Sequence, residues 1–94
     1  MKKITNLDKK IINANGEPLE TTVKNQLNDI LSTLDSSDIP MIIRMYNKVI
    51  PDLKTAKKEI EVEDADFEII KTAVGNAKIF LFAKAQLLEA LGEK

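Results

Sequence analysis

Three observations predict an α+β domain that is mostly α, with about four helices and a small N-terminal β-hairpin. Four stretches space their apolar residues as a helix face does, the first nineteen residues mix β-branched pieces with turn formers, and one segment alternates acidic and β-branched residues. At 94 residues the chain is too short to divide into two cores, so it reads as a single domain, with a hairpin arm over residues 1–19 and a helical core over 20–94. With 44% hydrophobic and 31% charged residues, three Gly and three Pro, its composition is that of a folding chain.

The arm sets Ile4-Thr5 and Ile11-Ile12 among Asn6, Asp8, Asn13, Asn15, Gly16 and Pro18. A two-stranded ribbon is marginal alone in water, so this arm has to lie on the helices or on a partner. Thr21 or Thr22 then offers an N-cap, and Val23, Leu27, Ile30, Leu31 and Leu34 mark the buried face of a first helix. Asp35-Ser36-Ser37-Asp38 ends it and caps a second helix, which opens at Pro40, where a missing amide donor costs nothing. That helix is predicted from Met41 to about Ile50, with Ile42, Met45, Val49 and Tyr46 as its buried stripe and Pro51 ending or kinking it.

Asp52 to Lys58 fits either a helical turn or a crossing loop. Residues 59–63, Glu-Ile-Glu-Val-Glu, alternate with period two and predict a short edge strand. Its carboxylates suit Lys2, Lys3, Lys9 and Lys10 as cross-strand partners, which would make a three-stranded mini-sheet with the hairpin. A third helix starts at Glu63 or Asp64, with Asp64, Asp66 and Glu68 complementing its dipole, Phe67, Ile70 and Val74 facing inward, and Gly75 as C-terminal cap. The fourth is predicted from Asn76 to Leu91, carrying Ile79, Phe80, Ala83, Leu87, Leu88 and Leu91 and ending at Gly92. Its apolar coverage exceeds one face: adjacent Leu81 and Phe82 point apart, so part of this surface should meet a second layer or another chain.

The chemistry points away from catalysis. The chain has no His and no Cys, which removes the commonest proton shuttle, the commonest thiolate nucleophile and most transition-metal ligands. Ser32, Ser36 and Ser37 have no histidine to activate them, and Gly16, Gly75 and Gly92 are too scattered to cradle a phosphate. The acidic set Glu59, Glu61, Glu63, Asp64, Asp66 and Glu68 lacks the turn glycine of a calcium loop and reads first as a solvated edge and helix start, with cation binding as its functional alternative. Neither an enzyme nor a cofactor is expected.

A net charge of −1 gives no field steering the chain to nucleic acid or anionic membrane. The longest apolar run, Ile79 to Ala83, falls far short of the roughly 20 residues that span a bilayer. Polar Thr5, Asn6 and Asp8 follow the first lysines where a signal peptide is apolar, so cytoplasmic residence is the expectation. Partner binding falls instead to apolar candidates: Phe80, Leu81 and Phe82, with Met41 and Met45 one helical turn apart, for which core packing is the competing role. Such a surface would take a phage or host protein or a second copy. The alternative is a nucleic-acid accessory role for Lys2, Lys3, Lys9, Lys10 and the lysines of residues 54–58. Arg44 is the single arginine, and the second helix opens Pro40-Met41-Ile42-Ile43 where a helix-turn-helix reader would place polar residues.

Ile4-Thr5-Asn6-Leu7-Asp8 with Lys10 and Ile12, then Gly16-Glu17-Pro18-Leu19, and later Glu63-Asp64, Ile69-Ile70-Lys71 and Val74-Gly75 together resemble a group of small phage-encoded proteins of unknown function. The likeness covers most of the chain and departs at Lys9, where a turn glycine is usual, and at Ile11, where proline is frequent. It implies a viral or prophage origin and carries over no site residue. The expectation is therefore a non-catalytic protein-binding module, phage-encoded, acting in virion assembly or by binding and modulating a host protein.

Overall fold

The computed structural model describes residues 1–92, and β-branched and turn residues fold its opening into three short strands, β1 (Lys2–Ile4), β2 (Lys10–Ile12) and β3 (Pro18–Thr22). Next come α1 (Val23–Ser32), α2 (Ile39–Arg44), a π-helical turn (Met45–Val49), α3 (Ile50–Thr55), β4 (Ile60–Val62), α4 (Asp64–Asn76) and α5 (Leu81–Ala90). Because α2, the π turn and α3 are continuous, the described residues form four helical rods beside two small antiparallel ribbons, the mostly helical α+β fold that the sequence predicts.

The arm docks on the helices. Ile4, Leu7 and Ile11 are fully buried beside Leu27, Leu53, Ile70 and Leu87, so arm and helices share one hydrophobic cluster. β2 and β3 form the hairpin. Its loop is built on Asn13, whose Oδ1 accepts from the Asn15 and Glu17 amides, and on Gly16, whose φ of 81° is the left-handed conformation glycine adopts freely. The expected three-stranded sheet is instead two separate ribbons. A tight turn begins at Asn6 (φ 57°), with the Lys9 amide donating to the Asn6 carbonyl, and carries the chain away from β1 before β2 forms. β1 therefore pairs with β4 alone, Lys3 lying opposite Glu61 with its Nζ 3.7 Å from Glu59, while Lys10 pairs with Thr22 and not with the acidic strand.

Thr22 caps α1, its side chain accepting from the Asn25 amide, and Asp38 caps α2 by accepting from Met41. Pro51 does not end the second rod. Ile50 donates to the Met45 carbonyl, a slip to i−5 bonding that takes the ladder past the residue without an N–H, and helix continues to Thr55. The slip also sets the rod's phase. Met45, Val49 and Leu53 are buried, while Ile42 and Tyr46, expected in the stripe, are exposed.

Gly75 is not a cap. It lies inside α4 without a positive φ, and the helix runs on to Asn76. There the chain becomes extended at Ala77 (ψ 139°) and returns to helix only after Phe80 (ψ 145°), so α5 begins at Leu81 and not at Asn76. The α4 terminus finds a donor in Lys84, whose Nζ lies 3.0 Å from the Gly75 carbonyl. Gly92, with φ 86°, follows the end of α5, and its amide donates to Glu89. No helix among the described residues is long and apolar enough to cross a membrane.

Candidate protein-binding surface

The break between α4 and α5 creates the candidate surface. Phe80, the last residue of the extended connector, and Leu81, the first of α5, stand 75% and 82% exposed. Phe82, two residues on, is half-buried and packs against the core. Its ring stacks on that of Phe80 at 5.3 Å between centroids and 8° between planes, so a core-anchored ring holds an exposed one in place.

Gln26, Lys78 and Ile79 line two neighbouring grooves. On the hairpin side lies one of about 860 Å³, walled by Ile11, Leu19, Ile79, Phe80 and Phe82. On the α4 side lies one of about 810 Å³, with Ile30, Leu34, Met41, Ile69 and Ile79 among its walls. Phe80, Leu81 and Phe82 thus form an apolar ridge beside a recess. Of the two methionines, Met41 is half-buried and reaches the second groove, whereas Met45 is 3% exposed and belongs to the core.

A second apolar surface escapes the sequence reading. α2 contributes no buried residue, and Ile39, Ile42, Ile43 and Tyr46 are 66%, 41%, 53% and 73% exposed at i, i+3, i+4 and i+7 spacing. The spacing itself is legible in the sequence, but so is the stripe Met41-Met45-Val49 beside it, and periodicity does not say which faces inward. Arg44 helps decide. Its Nη2 lies 2.7 Å from Oδ1 of Asp66, which is 2% exposed on α4. That oxygen accepts no aligned hydrogen bond, so the contact is one of charge, and it orients α2 with its isoleucines outward.

The acidic segment is dispersed: Glu59 faces Lys3, Asp66 faces Arg44 and Glu68 borders the α4-side groove. Among the described residues no group of three or more Asp or Glu side chains is placed to hold a metal ion. Two lysine-bearing segments meet through the backbone. The Leu7 amide donates to the Lys58 carbonyl at 2.8 Å, bringing the Asn6–Lys9 turn to the 54–58 segment, and Lys24 Nζ caps that segment's carbonyls at Ala56 (2.9 Å) and Lys54 (3.4 Å). Set against protein-family models, curated proteins and solved structures, the chain finds no match in any of the three.

Proposed function

We propose that this chain is a non-catalytic protein-binding module of phage or prophage origin, working in the bacterial cytoplasm either in virion assembly or by binding and modulating a host protein. One observation carries the reading: the exposed ridge of Phe80 and Leu81, with the Phe80 ring stacked on that of partly buried Phe82. Exposed large apolar side chains beside a recess mark association surfaces, and aromatic anchors concentrate affinity. The sequence holds no His and no Cys, the commonest proton shuttle and thiolate nucleophile, and this supports a non-catalytic role.

The test is capture from a bacterial or phage-infected lysate with wild type and with the double variant Phe80→Ser, Leu81→Ser, after circular dichroism shows both folded. A protein held by wild type at high salt and lost by the variant is the expected result. Equal retention by both would sink the ridge as the binding site. The backbone contact of Leu7 with Lys58, which brings the Asn6–Lys9 turn to the 54–58 segment, supports a second reading, a nucleic-acid accessory role. It is distinguished by binding to single- or double-stranded polynucleotide that falls steeply as salt rises.

A further inference from the structure

Two features at α2 fit each other but do not meet within one chain. The first is the outward stripe of Ile39, Ile42, Ile43 and Tyr46, whose i, i+3, i+4, i+7 spacing is that of a helix anchored in an apolar groove. The second is the groove of about 810 Å³ alongside, with apolar walls at Ile30, Leu34, Met41, Ile69, Ala73 and Ile79. None of the four stripe residues lines it. Charge is complementary as well: the groove carries Asp29, Asp35 and Glu68 against Lys78, while the rod from Ile39 to Thr55, its Arg44 already paired with Asp66, carries Lys48 and Lys54 against Asp52.

We propose that the occupant is a second copy of this chain, the two related by a two-fold axis, each laying its α2 stripe in the other's groove. A chain bearing helix and groove side by side satisfies both through one symmetry operation, and an acidic groove beside a basic rod favours that pairing. Four apolar side chains per copy make a small contact, so the dimer is reversible and depends on concentration. Phe80 and Leu81 take no part in it, and the inference stands without the reading of the ridge.

Sedimentation equilibrium across a concentration series tests it with wild type, Ile43→Lys, Thr72→Lys and an equal mixture of the two variants. Ile43 lies in the stripe and Thr72 lines the groove; both are exposed, so circular dichroism should show native helix in each. Tyr46→Ser serves as a second stripe variant. The wild-type mass should rise from 10.5 kDa toward twice that value. Each variant alone breaks both contacts of its own dimer and should weaken association about tenfold or more. The mixture keeps one intact contact, the Thr72→Lys stripe in the Ile43→Lys groove, and should associate better than either variant alone. A wild type monomeric throughout overturns the proposal. So does a Thr72→Lys variant that dimerises like wild type, which would put stripe against stripe, or a mixture that recovers nothing.

Discussion

Gln86 holds Ile12 as a neighbouring β-strand would. Its Oε1 accepts from the Ile12 amide at 2.8 Å and its Nε2 donates to the Ile12 carbonyl at 2.7 Å, across 74 positions of sequence. Pro18, the residue opposite Ile12 in the hairpin, has no N–H to offer that carbonyl. A side-chain amide on α5 therefore completes what the hairpin leaves open, and Gln86 is itself steadied by Nε2 donating to the Phe82 carbonyl at 2.9 Å. The hairpin is thus fixed to the helix that starts at the ridge.

Replacing Gln86 with Leu keeps its bulk and removes both bonds, leaving a partly buried donor and acceptor at Ile12 unpaired. The expected loss is about 1–3 kcal/mol, read as a lower urea midpoint with unchanged slope. Gln86→Glu retains the acceptor for the amide but sets a carboxylate against the carbonyl, and should be destabilised in the same direction. A Leu variant with the wild-type midpoint would remove the anchoring role.

This anchor shows where sequence reading stops. Thr22, Asp38 and Gly92 are legible because a cap acts within a few residues of itself, and the 60–62 strand because its alternation is local. The inward faces of α1 and α4 follow from a single apolar stripe each. Gln86 to Ile12 and Arg44 to Asp66 join distant residues of types common on surfaces, and no spacing announces them. The second rod departs from the expected stripe because it carries two apolar stripes and a proline that a π turn accommodates. Of the binding candidates, Phe80 and Leu81 stand exposed where a four-residue connector parts α4 from α5, a break hidden by continuous helix-compatible spacing from Asn76.

The Arg44–Asp66 contact should be coupled. Arg44→Met keeps most of the side chain's length while removing the guanidinium paired with a carboxylate that is 2% exposed, and is expected to cost about 1–3 kcal/mol. Asp66→Asn added to it removes the charge left behind, so the double variant should be more stable than the sum of the singles. Thermal or urea unfolding of the four proteins completes the cycle. Additive losses would reduce the contact to a surface pairing of little worth.

The glycines should respond in opposite senses. A Cβ at Gly75 meets nothing within 4 Å and the backbone there is helical, so Gly75→Ala should stabilise by about 0.5–1 kcal/mol and raise the melting temperature by several degrees. Gly16 also has open space, but its φ of 81° is a conformation that L residues adopt only at a cost. Gly16→Ala should lose about 1–2 kcal/mol. Gly75→Ala less stable than wild type would contradict the placement of that residue in the body of α4.

The phase of the second rod is open to the same kind of measurement. In an uninterrupted α-helix each four-residue step overshoots a full turn by about 40°, so Met45, Val49 and Leu53 would fan across about 80°. The wider π turn takes that rotation back, and all three are at most 3% exposed. Met45→Ala should therefore behave as a core truncation and cost about 2–5 kcal/mol. Ile42→Ser, one turn earlier on the outward face, exchanges residues of similar helix propensity at a 41% exposed position and should stay within about 0.5 kcal/mol of wild type at dilute concentration. If Ile42→Ser were as damaging as Met45→Ala, the stripe would be facing the core, and with it would go both the π-turn phasing and the outward face proposed for self-association.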